Sequence, residues 1–359
     1  MSQFFTTKKS IILVGAVIGI IAALMQFMGN PPNMGVCVAC FERDIAGALG
    51  LHRASVVQYL RPEIFGIVLG AMLAAFSAKE FSPRAGSAPM IRLLLGAFAM
   101  IGALVFLGCP WRTLLRLAGG DGNAIFGFLG LICGTLIGTY FIKQGFSLGR
   151  KQVASRAAGL AFPLVMFGLL VLAIVTPEFG NGVVFASEKG PGAMHAPLWL
   201  SLGAGLVIGA LAQRSRFCTM GAIRDVFVAK DFHLISGVLS LLFFAFIANL
   251  MLGQFNPGFE GQPIAHTNSL WNFIGMTLAG CAFVMAGGCP GRQLIKAGEG
   301  DGDAATFVIG MVIGAAFAHN FMLASSPKGV TEFAPYAVIL GFIFILGLAF
   351  SARAKINLD

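Results

Sequence analysis

Five residues, Gly108-Cys109-Pro110-Trp111-Arg112, return 180 positions later as Gly288-Cys289-Pro290-Gly291-Arg292. Each copy follows a long apolar run and precedes a short amphipathic segment, an Asp-Gly pair (Asp121-Gly122, Asp301-Gly302) and another apolar run. Gly130 and Gly134 keep the same offset to Gly310 and Gly314, while Cys37, Arg43 and Asp44 fall on Cys218, Arg224 and Asp225 at an offset of 181. Chance supplies one Cys-Pro repeat, but not an ordered series of thiol, charge and glycine matches at nearly one spacing. The chain is therefore expected to be a duplicated unit, residues 1-180 forming the first half and 181-359 the second.

Only 11% of the 359 residues are charged and 57% are apolar, whereas a soluble domain carries about 25% charge. This composition predicts an all-α polytopic membrane protein. Ten apolar runs, near 11-28, 63-78, 91-107, 124-142, 157-176, 198-212, 234-252, 270-286, 304-322 and 336-350, read as spans. The count falls to nine if the fifth or last run lies differently, and two runs are short for a hydrocarbon core of ~30 Å. Residues 33-62 are too apolar for a loop and too interrupted to span, so they are expected to form one or two short helices folded back into the bundle. Residues 177-197 read as a polar loop. Lys8-Lys9 precede an apolar run long enough to span, with no small-x-small cleavage site after it, which reads as a retained first helix.

The formal charge of +9 comes from short basic clusters between apolar runs, the pattern of orientation charge and not of a nucleic-acid footprint. With a cytoplasmic amino terminus and ten spans, only Arg43, Arg53, Arg61, Arg112, Arg116, Lys189 and Lys328 among the 24 basic residues fall outside. Five spans per half is an odd number, so the halves are expected to be inverted, with short re-entrant helices entering from opposite sides.

In Gly-Cys-Pro-x-Arg the proline gives up an amide hydrogen that a first helical turn does not need, so a helix is expected to start directly after the cysteine. Cys109 and Cys289 then sit where exposed N–H groups and the helix dipole favour a thiolate or a bound anion, with Arg112 and Arg292 one turn on. Cys37 and Cys218 form the second pair of stations. Cys133 and Cys281 read as packing, and the seven cysteines as free thiols. Cys37-Val38-Ala39-Cys40 is a C-x-x-C without a counterpart in the second half, so a redox pair stays open and a metal site does not fit. Arg43-Asp44 and Arg224-Asp225 are expected to pair, Asp121 and Asp301 to cap the following spans, and Glu42 to make an interfacial ion pair in preference to accepting protons. No nucleotide-binding loop, hydrolase elbow or metalloprotease signature appears. A non-enzyme without cofactor or metal is expected, and a membrane thiol oxidoreductase or sulfur-relay partner is the alternative.

The two Gly-Cys-Pro-x-Arg stations, the Cys37 and Cys218 stretches and the duplicated plan resemble the YeeE/YedE family of sulfur-compound membrane transporters over roughly residues 15-350. Asn30-Pro31-Pro32-Asn33-Met34-Gly35, Cys37-Val38-Ala39-Cys40-Phe41, Arg61-Pro62-Glu63 and Leu117-Ala118-Gly119-Gly120-Asp121 are similar to its YedE-like subgroup, proposed to carry selenium compounds. The resemblance implies one transmembrane transport domain of the cell inner membrane that takes up a small inorganic anion such as thiosulfate or a selenium oxyanion. It implies that Cys109 and Cys289 are central thiols passing the anion by S–H to sulfur hydrogen bonds, that Cys37 is the entry-side thiol and that Cys218 completes the repeat. The implied partners are the lipid bilayer and a soluble sulfur- or selenium-carrier protein, with no nucleic acid.

Overall fold

The computed structural model describes residues 4–179 and 184–352. It is helical apart from one two-stranded ribbon, β1 (Arg84–Ala85) paired antiparallel with β2 (Gln152–Val153). The first half contributes α1 (Lys8–Phe27), α2 (Val38–Ala48), α3 (Pro62–Ser77), α4 (Pro89–Phe106), α5 (Pro110–Ala118), α6 (Asn123–Lys143) and α7 (Arg156–Phe179). The second contributes α8 (Leu198–Ser215), α9 (Thr219–Ala229), α10 (His233–Met251), α11 (Ser269–Ala286), α12 (Pro290–Gly298), α13 (Gly302–Asn320) and α14 (Ala334–Ser351). Element for element the two series correspond. The long helices fall on the ten expected apolar runs, the short ones on the four cysteine stretches, and residues 180–183 of the expected polar loop lie outside the described residues.

Among the described residues, eight segments are long and apolar enough to cross a membrane: α1, α6, Arg156–Val175 of α7, α10, α13, α14 and the stretches Pro89–Ala118 and Ser269–Gly298, the last two each a helix followed by its short successor. The 16-residue α3 is shorter, and α3 packs along α8. These are two of the ten expected runs. Exposed Leu, Ile, Phe and Tyr side chains ring the outer helices, as at Leu164, Phe243, Tyr336 and Ile343. A protein surrounded by lipid needs no polar coat there.

The packing partners cross between the halves. α1 lies on α10 and α3 on α8; α4 lies on α13 and α6 on α11; α4 and α11, equivalent in the repeat, meet each other. The matched glycines explain the close approach. A Cβ on Gly130 or Gly134 of α6 would stand 2.1 Å from the carbonyl oxygen of Phe273 or Thr277 on α11. On Gly310 or Gly314 of α13 it would stand 2.1 or 2.5 Å from that of Leu93 or Ala97 on α4. With little hydrophobic drive between helices in lipid, such contact between backbones supplies the packing energy. The loops cross in the same manner. Ser82 and Arg84 donate backbone N–H groups to the carbonyls of Glu299 and Gly300, and Asn256 and Gly258 donate theirs to those of Gly119 and Gly120. α7 and α14 depart from the pattern, α7 packing on α3 and α14 on α4 and α11.

Candidate functional site

All four station cysteines are N-cap residues: Cys37 of α2, Cys109 of α5, Cys218 of α9 and Cys289 of α12. For Cys109 and Cys289 the proline at the first helical position dictates this, and both residues take extended φ,ψ before it. For Cys37 and Cys218 the thiol replaces the usual hydroxyl or carboxylate cap. Cys37 Sγ accepts from the amide of Cys40 at 3.4 Å, and Cys218 Sγ from that of Gly221 at 3.3 Å. Sequence reasoning placed helix starts at two of the four, because sulfur is not among the residues that ordinarily cap.

The structure joins the thiols within each half. Cys37 Sγ lies 3.7 Å from Cys109 Sγ, and the Cys218 and Cys289 side chains are neighbours in the second half. Each pair sits where two short helices start. Cys109 Sγ faces the amides of Arg112 and Ala39, and Cys289 Sγ those of Arg292 and Thr219. Four positive helix ends thus meet in two twos, an arrangement that favours soft or charged sulfur. The Cys37–Cys109 pair is closed from solvent. Cys218 lines a cavity of about 250 Å³ together with Gly288, Arg216, Arg224, Arg292 and Lys296.

The two arginines of the repeat have different settings. Arg112 is fully buried and committed: its guanidinium donates to the carbonyls of Asn33 at 3.3 Å, Ile264 at 3.0 Å and Leu107, and to Cys40 Sγ at 3.5 Å. Leu107 ends α4 in the left-handed region, φ 65°, which turns its carbonyl toward that guanidinium and toward Cys40 Sγ at 4.0 Å. Arg112 therefore ties α2, the α4 end and the loop before α11 together. Arg292 keeps a face on the cavity and pairs with Glu299 at 3.3 Å. Glu299 also holds Arg216 at 2.8 Å, so a carboxylate missed in the sequence organises the cavity's cations.

Arg43 and Asp44 pair as expected, at 2.6 Å, and Asp44 takes a second cation, Arg61, at 2.7 Å. Arg224 and Asp225 pair at 2.8 Å. Asp301 caps α13, accepting from the amides of Asp303 and Ala304; Asp121 accepts from Asn123 N and binds Arg116 at 2.6 Å. Cys281 is buried and lies 3.7 Å from Met285 Sδ. Among the described residues Glu42 has no ion pair, against expectation. Its carboxylate is 1% exposed beside Cys109, and neither oxygen has a hydrogen-bond partner among the described residues. α2 is drawn so far inward that Glu42 never reaches an interface.

Trp111 was not singled out by sequence reasoning, although the repeat marks it. The position that is Trp111 in α5 is Gly291 in α12, and a Cβ on Gly291 would stand 2.8 Å from the indole ring. The same ring meets Phe217 edge to face at 6.2 Å, next to Cys218. Trp111 therefore occupies the space between the first thiol pair and the second. Among the described residues no group of three His, Cys, Asp or Glu side chains is placed to hold a metal ion.

The chain is 32% identical over 108 residues to the thiosulfate transporter TsuA of Spirochaeta thermophila, an alignment covering 29% of this chain and 31% of that relative's length. A model of the sulphur transport family matches residues 1–110 and 214–355, two blocks that contain Cys37 with Cys109 and Cys218 with Cys289. The matched blocks make up more than half of the chain, and it belongs to that family of membrane transport proteins.

Proposed function

We propose that the protein takes up a small sulfur anion, thiosulfate or a selenium oxyanion of similar shape, across the cell inner membrane by a central path past Cys37, Cys109, Cys289 and Cys218. The observation that carries this reading is the pairing of four thiols at four helix N-termini. Such a site attracts an anion through N–H groups and the helix dipoles, and offers its sulfur a weak S–H contact. Weak neutral contacts at successive stations let an ion leave as readily as it enters. The cavity on the Cys218 side, with Arg216, Arg224, Arg292 and Lys296, is the mouth facing the cytoplasm in an inverted-repeat topology. The crossed loop contacts support that topology, since the α3–α4 loop meets the α12 end and the α10–α11 loop meets the α5 end. The reading has no chemical conversion in it, no cofactor and no nucleic acid; the bilayer and a soluble sulfur- or selenium-carrier protein are the partners.

Uptake of labelled thiosulfate and selenite into vesicles tests the reading. Cys109→Ala and Cys289→Ala are each expected to abolish uptake while folded yield is kept. Normal uptake of both anions in both variants would sink the thiol path. A second reading, thiol redox chemistry or sulfur relay, draws on the 3.7 Å separation of Cys37 and Cys109 and on Cys40 one turn away. It requires the free-thiol count to change during turnover, which mass-tagging of cysteines measures directly.

A further inference from the structure

We propose that the indole N–H of Trp111 and the hydroxyl of Thr219 hold the oxygen atoms of the transported anion while the thiols hold its terminal sulfur or selenium. The proposal rests on the transport reading above and names a part of the site that the cysteines cannot supply.

Two observations converge. The first is steric. α5 and α12 correspond in the repeat and approach each other so closely at Trp111 and Gly291 that only one large side chain fits. One ring therefore takes the room that both halves face, with Cys109 two residues before it and the Phe217–Cys218 segment against its edge. Any ion handed from the first thiol pair to the second goes past this indole.

The second is polar. Trp111 Nε1 and Thr219 Oγ1 are buried, with 1% and 0% residue exposure, and neither has a hydrogen-bond partner among the described residues. Buried indole N–H groups normally find an acceptor, and an unfilled one costs stability. Valine would fill the space of Thr219, and phenylalanine most of that of Trp111, without that cost. Thr219 stands beside the inner pair, since it follows Cys218 in sequence and its own amide faces Cys289 Sγ. The fold thus retains a donor at the ring between the pairs and another at the inner pair, both without a partner among the described residues.

The chemistry of the substrate class divides in the same way. Thiosulfate has one soft, polarisable terminal atom and a hard sulfonate end. A thiol S–H is a weak donor suited to the first, whereas N–H and O–H groups suit oxygen. Neutral donors also bind an oxyanion without trapping it as a buried arginine would. The predicted ligand class is an oxyanion with one exposed chalcogen atom. Sulfate satisfies the oxygen donors but offers the thiols no terminal sulfur.

The test uses the full chain, purified in detergent and titrated with thiosulfate, with vesicle uptake alongside. Trp111→Phe keeps an aromatic ring and removes the donor; Thr219→Val keeps the shape and removes the hydroxyl. Each is expected to weaken thiosulfate affinity by about tenfold or more, the usual worth of a hydrogen bond to a charged group. Trp111→His, which restores an N–H, is expected to recover part of the loss. If Trp111→Phe does not fold, the Thr219→Val and Trp111→His titrations decide. Wild-type affinity in both donor-deleted variants, with affinity lost in Cys109→Ala and Cys289→Ala, overturns this proposal and leaves the thiol path standing. No thiosulfate binding by the wild-type chain overturns both.

Discussion

Arg112 and Arg292 occupy equivalent positions, yet their substitution by glutamine should damage different properties. Arg112 is buried and bonded to three carbonyls and a sulfur, so Arg112→Gln is expected to cost ~3–5 kcal/mol and to appear as lost folded yield. Arg292 lines the cavity, and Arg292→Gln should lower uptake per folded molecule while the thermal midpoint moves little. Measuring midpoint and uptake on the same preparations separates the two; equal losses of yield in both would contradict this assignment. Glu42 gives the opposite case. A buried carboxyl with no partner costs stability, so Glu42→Leu should raise the midpoint, corresponding to ~1–3 kcal/mol, and any fall in uptake then reports a role in transport. A lowered midpoint would mean that the carboxyl is satisfied in the membrane. The cysteines and the paired charges were legible in the sequence because chemistry-bearing residues repeat in register. Glu42 and Trp111 were not legible in the same way, since burial depth and an unfilled donor are properties of three-dimensional packing. The Trp-for-Gly exchange between the two motifs was the one written signal.

At the scale of helices, apolar length located the spans to within about three residues, as for α4 at Pro89–Phe106 against an expected 91-107. Proline located the starts of α5 and α12. The starts of α2 and α9 could not be read, because a thiol cap carries no propensity signal, and neither could the crossed pairing of α1 with α10 and α3 with α8. Partner choice resides in small-residue faces that fit several neighbours until the whole bundle is assembled. Gly134 is a sharp test of the assembled faces. Its Cβ would stand 2.1 Å from Thr277 O, a backbone atom that cannot turn aside, so Gly134→Ala should destabilise by ~1–3 kcal/mol or more. Gly168 on α7 has open space at the same test, and Gly168→Ala should leave the midpoint unchanged. A similar response of the two variants would show that the α6–α11 contact is looser than described.

Across the whole molecule, the face carrying the cavity is fastened by partly exposed ion pairs and the opposite face by buried ones, Asp44 with Arg43 and Arg61 and Asp121 with Arg116. Glu80 receives Arg214 at 3.1 Å and Arg216 at 2.9 Å, while Asp301 receives Arg84 at 3.0 Å and Lys151. Burial alone would raise both carboxyls; hydrogen bonds and neighbouring cations outweigh it and hold both below their ordinary range. A depressed folded value means that the stabilisation is complete above the unfolded carboxylate value of ~4 and is lost as pH falls through the folded one. Acidification below about pH 4 should therefore loosen the β1–β2 side first, which hydrogen exchange on residues 80–88 and 148–155 would detect. Protection lost first at residues 116–123 would contradict this order.

The crossed pairing also bears on how the chain is made. The faces of α1, α3, α4 and α6 find their partners on α10, α8, α13 and α11, all of which lie later in the sequence. Until the second half is made, the glycine faces of the first half lack their partners, and so does α2, which packs on α13. Residues 1–180 expressed alone should consequently be cleared by membrane proteases, and co-expression with 181–359 should rescue both fragments. The newly inserted half is in effect a client awaiting its own continuation, and a slow or interrupted translation past α7 would expose it to quality control.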